Sequence, residues 1–272
     1  MQIYVLGTGT MFSKDRNNTC FVVEADKKYL IDCPRVLFNT FEKAKLKVAD
    51  VDDLILTHVH GDHLGETEAL IYYKWFAQDK RKLNIYTSEK VFGQAKLALA
   101  HVVNSLGGGE LTDYVNFIDI TPGKGYRGPI ELDTIDNLHS VPTIGLKLRY
   151  GDKKFAYSSD TNFSPADING LHASGLISEE RKARLLNFLW DADMIIHEAT
   201  GKNEPFATEN KHTYIDNLER LPADIKGKLL IAHYPDGLET DLTLLKDYQL
   251  IKLQPRDDKS LKSFSIQIIG GE

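Results

Sequence analysis

Leu54-Ile55-Leu56-Thr57-His58-Val59-His60-Gly61-Asp62-His63 is the stretch on which the reading of this chain turns. An apolar run feeds directly into three imidazoles and a carboxylate. Imidazole nitrogen and carboxylate oxygen are the donors that zinc and its neighbours prefer, and a rigid strand ending in a short turn can bring such donors to one point. The spacing also sorts them: His58 and His60 can serve one cation while Asp62 and His63 serve a second, because a chain reversal at Gly61 swings the later pair to another side. A solvated, histidine-rich loop is the competing reading. The apolar run in front and the glycine in the turn argue against it.

Outward from this stretch, further donors stand at the carboxyl ends of expected strands. Asp32 closes Tyr29-Leu30-Ile31-Asp32, His139 follows the strand-like Ile130 to Leu138, Asp160 ends Phe155-Ala156-Tyr157-Ser158-Ser159, and His233 ends Leu229-Leu230-Ile231-Ala232. In an α/β protein that is the side of the sheet where loops build sites. Motif and flanking donors together resemble the signature of the metallo-β-lactamase superfamily, and the likeness runs over roughly residues 1 to 235. The resemblance implies an αββα sandwich, two β-sheets flanked by helices, in the α/β class. It also implies one metal on His58, His60 and His139, a second on Asp62, His63 and His233, Asp160 bridging them, and Asp32 as a structural aspartate. Two Zn2+ are the expected cofactors, with Mn2+ as the alternative.

His197-Glu198-Ala199-Thr200, after the apolar Met194-Ile195-Ile196, resembles a motif of the ribonuclease Z branch, and Lys211-His212-Thr213 resembles another that stands a little further along. By that resemblance Glu198 orients His212, which donates a proton to the leaving oxygen or holds the transition-state phosphate. An imidazole near neutral pKa suits that role, and a carboxylate fixes its tautomer and raises its basicity. A purely structural Glu198–His212 pair is the alternative. His197 is read as structural, and the isolated His101 and His172 as surface or core residues. With Asp62, Glu198 and His212 complete the expected catalytic set.

Ribonuclease Z itself carries a transfer-RNA-gripping arm between the third-motif histidine and the bridging aspartate. Here the interval from His139 to Asp160 is filled by two expected strands, so the arm is missing. The chain resembles the arm-less phosphodiesterases of the branch, including enzymes that open cyclic nucleotides. The reading is therefore a dinuclear zinc phosphodiesterase acting on a small phosphodiester, foremost a cyclic nucleotide. Two alternatives stay open: a ribonuclease Z-type transfer-RNA 3′-endonuclease, and a hydrolase of a carbonyl ester or lactone. A non-catalytic binding module would be expected to have lost ligands, and this chain shows no such loss.

Composition sets the remaining bounds. The 272 residues, 42% hydrophobic, fit a single unit spanning 1–272 with a sizeable core. A net charge of −6 argues against broad polyanion binding and so disfavours RNA as a partner. No apolar run approaches the roughly 18 residues of a membrane span. Met1 leads straight into Gln2-Ile3-Tyr4-Val5-Leu6 without a secretory pattern, so a cytoplasmic protein is expected. Cys20 and Cys33 form no zinc or redox motif.

Strands are expected at 2–6, 19–24, 28–32, 53–57, 83–86, 115–119, 130–138, 143–149, 154–158, 193–197, 228–232 and 263–269. Helices are expected at 64–78, 88–105, 178–190 and 212–220, with an amphipathic helix in 35–48. Gly7-Thr8-Gly9-Thr10 lacks a full dinucleotide fingerprint and reads as a tight turn. The polar loop Ser13 to Asn18 can border the metals. Gly107-Gly108-Gly109 ends a helix as a connection, with a mobile cleft edge as the lesser alternative. The amphipathic stretch Ile177 to Trp190 is expected to pack on the body of the fold; a homodimer contact or a lid is its second reading.

Overall fold

Near-continuous apolar side chains in short β-branched runs give strands with two buried faces, and the intervening amphipathic segments cover them. The computed structural model describes residues 1–201, 211–255 and 264–270. The chain first lays down β1 (Gln2–Gly7), β2 (Cys20–Glu24), β3 (Lys28–Ile31), β4 (Val51–Ile55), β5 (Leu83–Thr87) and β6 (Val115–Asp119). It then crosses to a second sheet with β7 (Tyr126–Arg127), β8 (Glu131–Asp136), β9 (Ile144–Tyr150), β10 (Lys153–Tyr157), β11 (Met194–His197), β12 (Leu229–Ile231) and β13 (Thr243–Leu244). Finally β14 (Leu250–Pro255) and β15 (Phe264–Ile269) return to the first sheet beside β1. The sheet orders are β15-β14-β1-β2-β3-β4-β5-β6 and β13-β12-β11-β10-β9-β8-β7.

Three buried clusters define four layers. Between the sheets, Ile3, Val5, Phe21, Val23, Tyr29 and Ile31 of the first meet Leu146, Leu148, Phe155, Tyr157 and Ile196 of the second. The rings of Phe21 and Tyr157 meet edge to face across this interface at 5.2 Å, a geometry worth about 0.5–1.5 kcal/mol beyond the area it buries. The opposite face of the first sheet, Val22, Leu30 and Leu54, packs under helices α1 (Leu37–Lys43), α3 (Thr67–Ala77), α4 (Glu89–Ala98) and α5 (Ala100–Ser105); the four-residue turn α2 (Gly61–Leu64) precedes α3. The outer face of the second sheet, with Ala156, Ile195, Leu229 and Ile231, is covered by α6 (Pro165–Ala173), α7 (Glu179–Asn187), α8 (Ile215–Glu219) and α9 (Ala223–Lys226). This is the expected αββα sandwich.

Several elements differ from the sequence reading. Helix 88–105 divides at Leu99, whose φ of −100° and ψ of 9° leave the helical region. The helix expected at 212–220 begins only at Ile215, because Tyr214 is extended and bridges to Thr200. In 35–48 the helix is confined to Leu37–Lys43. Strand β14 and helix α6 had no counterpart among the expected elements. The last strand is present as Phe264–Ile269, residue 263 lying outside the described residues.

Gly7 ends β1 where the carbonyl oxygen of Asn18 lies 2.0 Å from the position a Cβ would take. Only glycine permits this approach, through which Thr8 and Gly9 donate N–H bonds to the Asn17 carbonyl. Gly7-Thr8-Gly9-Thr10 is therefore not the expected tight turn: the backbone stays extended, Gly9 bridges Asn18 and Tyr234, and the chain turns only at Met11 and Phe12. Cys20 and Cys33 are both free and buried. Among the described residues no helix is long and apolar enough to cross a membrane.

Candidate metal centre

Loops leaving the carboxyl ends of β3, β4, β8, β10, β11 and β12 converge at one edge of the sandwich. They bring together every residue expected to hold metal. His58, His60, His139 and Asp160 form one group and Asp62, His63 and His233 a second; within each, one candidate ligand atom per residue lies within 4.8 Å of the others. Asp160 faces both groups. Its Oδ2 is 3.6 Å from His58 Nε2 and 3.8 Å from His139 Nε2, while Oδ1 is 3.4 Å from His63 Nε2 and 3.5 Å from His233 Nδ1. Asp62 Oδ2 lies 3.2 Å from His233 Nε2 and 3.6 Å from His63 Nε2. The split between the two motif pairs arises as foreseen, but through a helical turn: His60 caps α2 in an extended conformation, and Asp62 and His63 sit in its body.

Neighbouring groups decide which ring nitrogens are free. Asp32, fully buried, accepts from the Thr57 backbone N–H (2.8 Å), the Thr57 hydroxyl (2.9 Å) and His63 Nδ1 (2.8 Å). Having donated to Asp32, Thr57 Oγ1 can only accept from His58 Nδ1 at 3.0 Å. His139 Nδ1 donates to the Lys211 carbonyl at 2.9 Å. In His58 and His139 Nδ1 carries the proton and Nε2 presents a lone pair to the cluster; in His63 the bond to Asp32 fixes Nδ1 as a donor and turns Nε2 toward the cluster. Among the described residues, buried His58 Nε2, His63 Nε2 and Asp160 Oδ1 have no hydrogen-bond partner. Buried polar atoms left so are costly, and donors of this chemistry aimed at common points fit divalent cations of the zinc and manganese type.

The charge distribution agrees. Burial, reinforced by His63 and His139, holds His58 well below the usual imidazole range. Burial also lowers His60 and His139. These imidazoles are neutral, as ligands must be. Burial alone would lower His63 too, but Asp160, Asp62 and Asp32 outweigh it and push it up to about 10. A proton there stands where the surrounding carboxylates call for positive charge.

Glu198 follows the last residue of β11 and is fully buried. Its Oε1 accepts from the Thr161 and Thr213 backbone N–H groups, each at 3.0 Å, which leaves Oε2 for His212 Nδ1 at 3.3 Å. Against the effect of burial, Glu198 pushes His212 up to about 9. The expected pair is therefore formed at the rim of the cluster. His212 also groups with Asp160 and His233 within the same 4.8 Å. His197 donates from Nδ1 to the Glu198 carbonyl at 2.7 Å and stacks on Trp190, its ring turned into the core. Exposed His101 pairs with Glu68, and His172 with Glu179, away from the cluster.

A cavity of about 690 Å³ opens over the centre, with His60, Asp62, His139, Glu198, His212 and His233 among its walls. The loop after β1 contributes Thr10 to Lys14, so the expected polar loop does border the centre. The sequence reading missed Met11 and Phe12 there; two large apolar residues in an otherwise polar loop were the available signal. Neither Gly107–Gly109 nor the stretch 165–190 is among the described lining residues. Helix α7 and the turn that follows it instead pack Leu185, Leu186, Leu189 and Trp190 on the outer core, and Arg184 donates to the Thr134 carbonyl at 3.0 Å.

This fold and centre define a hydrolase of the metallo-β-lactamase fold. The likeness to solved structures agrees: human tRNase Z, short form, superposes with a TM-score of 0.65 at 17% identity, covering 93% of this chain and 99% of that one. Residues 1–255 match the family described as Anti-Pycsar protein Apyc1, and the chain belongs to that family. The Anti-Pycsar protein Apyc1 of Paenibacillus sp. (strain J14) is 25% identical over 253 residues, 88% of this chain and 91% of that protein. The cAMP/cGMP-dependent 3′,5′-cAMP/cGMP phosphodiesterase B of Dictyostelium discoideum is 30% identical over 237 residues, 85% of this chain. The chain spans 20% of that relative's length.

Proposed function

We propose that this protein hydrolyses a 3′,5′-cyclic nucleotide with a pair of zinc ions. What carries the reading is Asp160, whose two oxygens face separate ligand groups, with the Glu198–His212 pair beside it in a nucleotide-sized cavity. The family membership and the names of the relatives support the substrate class.

His58, His60 and His139 would hold one cation and Asp62, His63 and His233 the other, with Asp160 shared; Mn2+ is the alternative metal. Such a pair, when bound, supplies a nucleophile at neutral pH and neutralises the charge that develops on phosphate. Asp32, Thr57 and the Lys211 carbonyl keep three ligand rings in the donating tautomer. Glu198 fixes His212 with its proton on Nδ1, so that Nε2, in the protonated ring, can hand a proton to the departing ribose oxygen. The walls bring the diester against these groups and limit water to what the reaction uses.

A ribonuclease Z activity is the weaker reading. Between His139 and Asp160 the described chain consists of β9, β10 and their short connections, which leaves no arm to grip a folded RNA. The test is turnover by purified, zinc- or manganese-loaded protein on a panel of purine and pyrimidine cyclic nucleotides, linear dinucleotides and precursor transfer RNA. Ring opening of a cyclic nucleotide as the fastest reaction is expected; faster cleavage of precursor transfer RNA would overturn the proposal.

A further inference from the structure

We propose that Phe12, backed by Met11, is the wall on which the heterocyclic base of the substrate stacks, and that it sets the preference for nucleotides over base-free phosphodiesters. The inference rests on the cyclic-nucleotide reading above and deepens it. Phe12 is 61% exposed and Met11 45% exposed, and both line the cavity that holds the metal-ligand cluster. Single exposed apolar residues are ordinary on protein surfaces; two adjacent ones facing a reaction cavity give it an apolar wall. Apart from the histidines, Phe12 is the one aromatic among the described lining residues. The cluster accounts for the phosphate end of a substrate. A cavity of about 690 Å³ is in the range that accepts a nucleotide and exceeds what a bare phosphodiester requires.

The loop is also built to hold this face in place. Ser13 Oγ accepts from the Thr10 N–H at 3.0 Å, and the Thr10 carbonyl accepts from Asn18 Nδ2 at 2.7 Å. The Lys14 N–H donates to Asp236 Oδ2 at 2.9 Å. Arg16 donates to Asp236 Oδ1 and to the Tyr234 carbonyl, each at 2.7 Å, and its guanidinium lies 3.8 Å over the Tyr234 ring. Tyr234 and Asp236 belong to the segment that carries His233. The tip is thereby referenced to the metal centre, and a preorganised aromatic face loses little entropy when a base lands on it. Base-on-aromatic stacking is worth about 5- to 150-fold in affinity.

The test compares wild type, Phe12→Ala and Phe12→Trp, all zinc-loaded, on a purine 3′,5′-cyclic nucleotide and on ribose 3′,5′-cyclic phosphate lacking a base. A parallel binding measurement follows the fluorescence of the 2-aminopurine riboside cyclic phosphate, which is quenched on stacking. Phe12→Ala is expected to raise KM for the nucleotide at least 5-fold, keep kcat within about twofold and abolish quenching. Phe12→Trp should restore both, and KM for the base-free diester should be the same in all three proteins. Equal losses on both substrates, or unchanged KM and quenching in Phe12→Ala, would overturn the proposal. So would loss of dimers with base discrimination intact, which would assign the tip to contact between copies. Should wild type quench the probe through Phe12 yet open no cyclic nucleotide, the wall stands and the hydrolytic reading fails. Turnover without Phe12-dependent quenching would instead keep the hydrolytic reading and remove the wall.

Discussion

At the residue scale the centre is an exercise in placing protons. His58, His63 and His139 each give Nδ1 to a fixed acceptor, and their Nε2 atoms point inward. His212 is different, because its Nδ1 partner is a carboxylate that raises rather than merely orients it. His212→Ala is expected to keep metal content and slow turnover by roughly 10²–10⁴-fold, the usual size of a proton-transfer contribution. Metal analysis beside single-turnover kinetics reads this, and loss of metal would make His212 a ligand instead. Asp62→Ala should lose both turnover and the second metal equivalent. A pH prediction follows for metal-stripped protein. His212 is raised from 6.5 in the unfolded chain to about 9 in the fold, so its pairing with Glu198 stabilises fully below about pH 6.5 and is lost as pH rises through 9. Thermal midpoints of stripped wild type and His212→Gln should therefore converge between pH 6.5 and 9.5; a gap that widens with pH would contradict the pairing. The donors were all legible in the sequence because imidazole and carboxylate chemistry is carried by residue type. Their acceptors were less so: the carbonyl of Lys211 has no sequence signature, since any residue supplies one.

At the element scale, legibility followed hydrophobic period. Strands with one apolar face toward the sister sheet and another toward helices read as near-continuous apolar runs and were recovered within a residue or two. Strand β14 was not recognised, because its Ile251 and Leu253 alternate with Lys252 and Gln254 over a short span ending at Pro255, and its existence depends on β1 and β15 as partners. Helix α6 has an evident start at Ser164-Pro165, where Ser164 Oγ accepts from the Asp167 N–H at 3.2 Å, but only Ile168 is fully buried, so its period is faint. Helix α7 has a stronger start: Ser178 Oγ accepts from the Arg181 N–H at 3.1 Å. Ser178→Ala should lower the unfolding free energy by about 1 kcal/mol and leave turnover unchanged, as denaturant titration and kinetics would show. A change in turnover would mean that α7 takes part in the reaction, which its packing on the outer core does not support.

At the scale of the whole molecule, the centre lies on the seam between two sheets. His58, His60, Asp62 and His63 extend from the first sheet, and His139, Asp160 and His233 from the second. Cations held there would cross-link the halves that otherwise meet through the apolar interface of Phe21, Tyr157 and their neighbours. Free metal at 100 times its Kd adds about 2.7 kcal/mol per site to stability, or roughly 5–10 °C in Tm for a chain of this size. Chelation should lower Tm by that amount for each site emptied and zinc should restore it, whereas an unchanged Tm on chelation would place the ligands elsewhere. The sequence by itself determined the kinds of atom available and their attachment to strand ends, since these depend on residue type and local period, and the resemblance those motifs carry implied the sandwich. Only the tertiary structure decided that Asp160 faces both ligand groups, that Lys211 and Thr57 set tautomers, and that Phe12 looks into the cavity. Each of these is a distance between segments remote along the chain, and such distances exist only once the two sheets have packed.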